Sequence, residues 1–234
     1  MRDDAERRLV ATKMHKIHKG FCVACALLCP ITLALLAPST LSAQSREVWV
    51  SSGITDFGFP YFHSNRELGS SAPSGNRSDT QIGAGWRMGV RLALNTSGPF
   101  AHELQYNYTK PDFIDKTGNI LGNVGTDRME IHQAGYNLLY YFSPRESGLR
   151  PLATVGIHFN DFVLPGSASG NHDSDTKWGF NYGVGLKWKV SPLAAVRADL
   201  RAYESGKPDW GGTIVNQSGL LHQIEASAGV GFTF

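Results

Sequence analysis

The sequence predicts an all-β fold, an eight-stranded antiparallel up-and-down transmembrane β-barrel. Three observations predict it. Eight segments alternate apolar and polar residues with a period of two. The connections between them alternate long and short. The apolar positions carry Trp, Tyr and Phe, while the charges fall on the other parity. The composition agrees: 234 residues hold 26 Gly, 12 Phe, 8 Tyr and 5 Trp, and 18% are charged, against roughly 25% in a soluble domain. Such a chain is too aromatic for intrinsic disorder and lacks the Ala, Glu, Lys and Leu bias of a coiled coil.

Residues 1–43 stand apart. Arg7, Arg8, Lys13, Lys16 and Lys19 form a positive leader, Phe21 to Leu36 is nearly all apolar, and Leu41-Ser42-Ala43 approximates a small-residue cleavage site. This is the three-part layout of a secretory signal peptide, expected here at 1–43 with Met14 an alternative start. A retained anchor needs roughly 20 apolar residues, and this run is shorter. Cys22, Cys25 and Cys29 are the chain's only cysteines. Their C-x-x-C lacks the strand-helix setting of a redox motif, and Cys29 precedes Pro30 inside the apolar run, which fits a lipoprotein site poorly. The leader also holds the chain's basic excess, six Lys/Arg against three Asp/Glu. Residues 44–234 contain 16 Lys/Arg against 17 Asp/Glu, so no basic excess is left to grip a phosphate backbone, and no nucleic-acid partner is expected. Residues 44–234, the expected barrel domain, have no other apolar stretch of helical spanning length. A membrane protein built from them must be a closed barrel, because an open sheet edge cannot sit in hydrocarbon.

The strands are drawn in chain order at 47–55, 81–94, 100–109, 129–142, 150–162, 176–190, 193–205 and 223–234. The first is the weakest, resting on Val48, Val50 and Ile54. The second sets Ile82, Ala84, Trp86, Met88, Val90, Leu92 and Leu94 against Gln81, Arg87 and Arg91. That run exceeds the roughly 5–6 residues of a globular strand and suffices for a tilted membrane strand of roughly 9–11. The third sets Phe100, His102, Leu104, Tyr106 and Tyr108 against Glu103, Gln105 and Asn107. The fourth is mixed until Ala134, Tyr136, Leu138, Tyr140 and Phe142. The fifth sets Ala153, Val155, Ile157 and Phe159 against Thr154, His158 and Asn160. The sixth sets Trp178, Phe180, Tyr182, Val184, Leu186 and Trp188 against Lys177, Asn181 and Lys187. The seventh sets Val196, Ala198 and Leu200 against Arg197, Asp199 and Arg201. The eighth sets Ile224, Ala226, Ala228, Val230, Phe232 and Phe234 against Gln223, Glu225 and Ser227.

Sidedness follows from volume. A soluble lipocalin-like barrel would turn the aromatic rows inward, and eight such rows overfill an eight-stranded interior. The apolar parity therefore faces lipid and the polar parity faces the lumen. The gaps between the drawn strands are 25, 5, 19, 7, 13, 2 and 17 residues. Short ones such as Asn95 to Gly98 and Ser191-Pro192 read as turns. Gly69 to Asp79 and Gly166 to Asp175 read as long loops. Short turns on one side and long loops on the other are the plan of bacterial outer-membrane barrels. Tyr106 and Tyr108 fall near one rim, and Tyr140, Phe142, Trp188 and Phe234 near the other, as interfacial girdles require.

Over residues 47–234 the sequence resembles the small bacterial outer-membrane β-barrel family, of the OmpA transmembrane domain and OmpX type. The ending Gly229-Val230-Gly231-Phe232-Thr233-Phe234 resembles that family's last strand, and Asn181 to Lys187 with Ser191-Pro192 and Arg197 to Tyr203 resembles its late hairpin. The resemblance implies that Phe232 and Phe234 form the signal read by the barrel assembly machinery. It further implies periplasmic chaperones, outer-membrane lipid and lipopolysaccharide as partners, with the barrel a monomer. No periplasmic peptidoglycan-binding domain is expected after the last strand.

An eight-stranded barrel has room for side chains rather than a wide channel. The expected lumen network comprises Arg87, Arg91, Glu103, Gln105, Lys187, Arg197, Asp199, Arg201 and Glu225, joined by Gln133, Asn137 and His158. Neighbouring strands are expected to pair Arg91 with Glu103, Lys187 with Asp199, and Arg201 with Glu225, because buried charges must be paired. The expected role is structural and surface-interactive, with four exposed loops. A narrow, porin-like channel for ions or small solutes is the alternative, and a lipid A-modifying hydrolase the second. A hydrolase needs a serine activated by His and an acid. His158 has Asn160 rather than Ser two residues on, His172-Asp173-Ser174-Asp175 lies in a loop, and Gly166 to Gly170 has Ala168 where a nucleophile elbow has Ser. No catalytic residue, cofactor or metal site is expected: zinc-ligand and EF-hand spacings are missing.

Overall fold

The computed structural model describes residues 45–57, 67–70, 79–115, 128–163, 174–208, 215–216 and 219–234. The signal peptide expected at 1–43 lies outside the described residues. The strands are β1 (Ser45–Asp56), β2 (Glu67–Ser70), β3 (Asp79–Asn95), β4 (Phe100–Asp115), β5 (Glu130–Tyr141), β6 (Leu149–Val163), β7 (Ser174–Lys189), β8 (Ala194–Gly206), β9 (Val215–Asn216) and β10 (Leu220–Thr233). The eight long ones pair antiparallel in the order β1, β3, β4, β5, β6, β7, β8, β10, and β1 pairs with both β3 and β10. The sheet thus closes and has no edge to expose to hydrocarbon. At the long-loop end, β2 pairs with β3 and β9, with Gly69 opposite Asn216.

Short turns are held by their own polar groups. Thr96 donates its hydroxyl to the Phe100 carbonyl at 2.7 Å, and the Ser191 hydroxyl accepts the Ala194 N–H at 3.0 Å. Both ends of the described barrel, Ser45 and Phe234, lie at this short-turn end.

The outer wall is apolar. Trp178 and Trp188 are 69% and 60% exposed and sit ten residues apart on β7. Ten residues span roughly 33 Å of strand, or about 25 Å along the axis at a tilt near 40°, which is the height of an outer-membrane apolar band.

Ile82 corrects the expected sidedness. It is buried inside the barrel, because the β3–β4 register gains one residue between Ile82 and Gly85. This β-bulge sits opposite Pro111, which has no N–H to offer the ladder, and it inverts the alternation above it. Trp49 points inward as well, which explains why β1 alternated so weakly in sequence.

The interior is layered along the axis. At the long-loop end Phe57, Ile82, Met129, Ile131, Phe162 and Leu221 form one apolar layer. At the short-turn end Ala101, Leu139, Tyr141 and Leu152 form a second, beside Trp49, Ala93 and Ala195. Between these layers lie most of the buried charges, while Glu47, Lys187 and Arg150 sit at the level of the second.

Candidate functional site: the sealed lumen

Inward positions of β3, β4, β8 and β10 bring charged side chains to the axis. β4 and β8 stand on opposite walls of the closed order, so contacts between them cross the whole lumen. Arg197 and Arg201 of β8 reach Glu103 of β4 at 2.7 and 2.9 Å. Arg201 also donates to Gln105 at 2.9 Å, and Asn137 donates to Glu103 at 3.0 Å. Asp199 accepts from Arg91 at 2.6 Å and Arg197 at 2.7 Å. Glu225 accepts from Arg91 at 2.7 Å, and from the Tyr203 and Ser227 hydroxyls at 2.6 Å each. Arg87 lies 3.1 Å from Glu225 and donates to Gln133. Nearer the short turns, Lys187 pairs with Glu47, whose carboxylate also accepts the Trp49 indole N–H at 3.0 Å.

Every carboxylate in this group therefore meets more than one donor. For the carboxylates, that meets the condition under which charge is tolerated away from water, whereas Arg91 Nε and Arg201 Nε are buried without a hydrogen-bond partner among the described residues. The aromatic rings add to it. The Arg87 guanidinium lies 4.8 Å from the Tyr203 ring, and that of Arg150 lies 3.9 Å from Tyr141.

A family model for the outer membrane protein beta-barrel domain matches residues 31–234. The chain belongs to this family. It is an outer-membrane β-barrel protein of the bacterial envelope. Its fold is similar to that of Neisserial surface protein A, with 15% identity and a TM-score of 0.51 over 82% of this chain and 97% of that one. It is likewise similar to the outer membrane protein OprG from Pseudomonas aeruginosa, with 12% identity and a TM-score of 0.52 over 82% and 96%. No curated protein sequence matches the chain.

The barrel places Arg87, Arg91, Glu103, Gln105, Lys187, Arg197, Asp199, Arg201 and Glu225 inside, all buried. The expected neighbour pairings do not form. Arg201 and Glu225 are direct cross-strand partners, yet Arg201 extends past its neighbour to Glu103 and Asp199. Arg91 goes to Asp199 and Glu225 rather than Glu103, and Lys187 to Glu47 rather than Asp199. The reason is curvature: inward side chains converge on the axis, so a long arginine meets the far wall more readily than the strand beside it. Glu47, Tyr203 and Ser227 belong to the network and were missed. Glu47 shares its parity with Trp49, which hid the polar row of β1.

His158 is buried with its ring edge-on to Tyr203 at 5.2 Å, and neither ring nitrogen has a hydrogen-bond partner among the described residues. His172, Asp173 and Gly166 to Gly170 lie outside the described residues. No group of His, Cys, Asp and Glu is placed to hold a metal ion among the described residues. Phe232 and Phe234 face outward, 58% and 53% exposed, and Phe232 pairs with Val48 across the closing seam.

Proposed function

We propose that this protein is a non-conducting envelope barrel whose role is structural and surface-interactive, exercised through four long outer loops. The observation that carries this reading is the sealed lumen. Ion pairs that cross between opposite walls fill the middle, and buried apolar side chains crowd the interior toward both ends, so a permeating ion meets side chains where an open pore would hold water. In this reading residues 1–43 are removed on export, and Phe232 and Phe234 direct assembly by the barrel assembly machinery after chaperone passage. The barrel works as a monomer in lipid and lipopolysaccharide, without catalysis, cofactor or metal.

Conductance in planar bilayers tests it. The purified protein is expected to give no steady single-channel current. A steady pore that vanishes in Arg91→Ala or Glu103→Gln overturns the proposal in favour of a narrow channel. Loss of an acyl chain from lipid A in cells overproducing the protein, read by mass spectrometry, overturns it in favour of a hydrolase.

A further inference from the structure

The end of the lumen beside the short turns carries more positive charge than its carboxylates balance. Arg150, Lys187 and Lys189 all occupy lumen-facing positions there. Arg150 and Lys187 are direct cross-strand partners, and Lys189 is the last residue of β7, one inward position nearer the opening. Diagonal neighbours in a sheet stay within reach of long side chains, so Arg150 and Lys189 can hold one guest, and like charges set this close repel without one. The lumen carboxylates are already engaged. Glu47 pairs with Lys187 and accepts from Trp49, while Glu103, Asp199 and Glu225 hold the arginines of the middle. Arg150 and Lys189 make no ion pair among the described residues.

Arg150 is the deciding residue. Only 7% of it is exposed, yet its guanidinium makes a single long hydrogen bond, from Nε to the Ser143 carbonyl at 3.4 Å. Its charge rests instead on the Tyr141 ring, 3.9 Å away, which Lys187 also approaches at 5.7 Å. Both terminal amino groups of Arg150 lack a hydrogen-bond partner among the described residues, and both stay open to solvent, unlike the sealed Nε atoms of Arg91 and Arg201. A buried arginine thus turns the free end of its fork to the mouth, and that fork matches the paired oxygens of an oxyanion. The Tyr141 hydroxyl, on the ring that Arg150 covers, is buried and unpartnered as well. Arg145, in the turn before β6, reaches over the opening to donate to Ser45 of β1 on the opposite wall at 2.8 Å, which favours small guests.

We propose that this mouth is a binding site for one small dianion of the phosphate class, taken by the fork of Arg150 and the ammonium of Lys189, with Lys187 behind them. Two cations that the lumen carboxylates leave unpaired match a dianion better than a single carboxylate. The site ends blind, because the pairs of Glu103 and Asp199 with Arg197 fill the lumen beyond it. Binding here and conduction are separate properties: current across a bilayer reads the second, and titration in detergent reads the first.

Isothermal titration calorimetry of the folded barrel in octyl glucoside with inorganic phosphate, at about pH 8 where phosphate is a dianion, tests the site. The expected result is one phosphate per barrel. Arg150→Gln is expected to weaken binding by about ten-fold, the worth of one charge-assisted hydrogen bond. Lys189→Gln is expected to weaken it by about three-fold. Acetate is expected to bind about ten-fold more weakly than phosphate, and Lys110→Gln, on the outer face of β4, is expected to change nothing. Heat-modifiable migration on gels checks the folding of each variant. Lys189 is exposed, so Lys189→Gln decides alone where Arg150→Gln does not fold. No phosphate on the wild-type protein, unchanged affinity in a folded mouth variant, an equal loss in Lys110→Gln, or acetate bound as tightly as phosphate each overturns the proposal.

Discussion

Glu103 receives two guanidiniums from the opposite wall and an amide from β5, and it is completely buried. Removing its charge leaves Arg197 and Arg201 facing each other with one fewer anion. Glu103→Gln is expected to destabilise the barrel by about 3–5 kcal/mol, the range for breaking a buried pair. Glu130→Gln removes the exposed pair with Lys110, 3.1 Å apart, and is expected to cost no more than about 1 kcal/mol. Urea unfolding from lipid vesicles, followed by tryptophan fluorescence, checks both; equal effects would refute the network's structural weight. Gly231 offers a steric counterpart. A Cβ there would meet the Trp49 indole at 2.4 Å, and that ring is held by Glu47 and lies 5.5 Å from Lys187. Gly231→Ala is therefore expected to cost about 1–3 kcal/mol as an overpacking change in the same assay. At this scale, membership of the lumen was legible because Arg87, Arg91, Glu103, Arg197, Asp199, Arg201 and Glu225 all sit on one parity. Partner choice was not. It depends on how far an arginine reaches across a closed cylinder, and strand spacing does not encode that.

Strands were legible where both faces obey one rule, as in β7 and β8. They blurred where inward positions are themselves apolar. Met129 and Ile131 enter the outer layer, so the start of β5 reads as mixed, and Trp49 does the same to β1. The bulge in β3 escaped notice because Ile82 and Ala84 keep an apolar rhythm across it, and only pairing against Pro111 reveals the extra residue. The last strand carries the prediction proper to this scale. Phe232 pairs with Val48 and Ala194, the Thr233 N–H donates to Leu193 at 2.9 Å, and the Phe234 N–H donates to Arg46 at 3.0 Å. Deleting residues 232–234 removes these seam bonds and two girdle rings together. The truncated protein is expected to show no heat-modifiable, folded band on gels. Replacing both phenylalanines with leucine keeps the backbone bonds and apolar surface, and it is expected to impair assembly in cells while allowing folding in detergent. Normal migration of the truncated protein from cells would refute an assembly role for this ending.

Across the whole molecule, closure, strand number and the alternation of long and short connections were readable, because an even number of membrane strands returns the chain to the side it started from. The two apolar layers were not, since they arise from residues scattered over β1, β3, β4, β5, β6, β8 and β10 that meet only after closure. Orientation is the remaining consequence, and the absence of cysteine from residues 44–234 makes it measurable. Ser174 begins β7 at the long-loop end and is exposed. Gly148 lies in the short turn before β6, where an added Cβ meets nothing within 4 Å. Neither Ser174→Cys nor Gly148→Cys disturbs the lumen or the seam, so both barrels are expected to assemble. On intact cells a membrane-impermeant maleimide is expected to label Ser174→Cys and to spare Gly148→Cys until the outer membrane is permeabilised. The reverse pattern would turn the long loops toward the periplasm and remove the basis for a surface role.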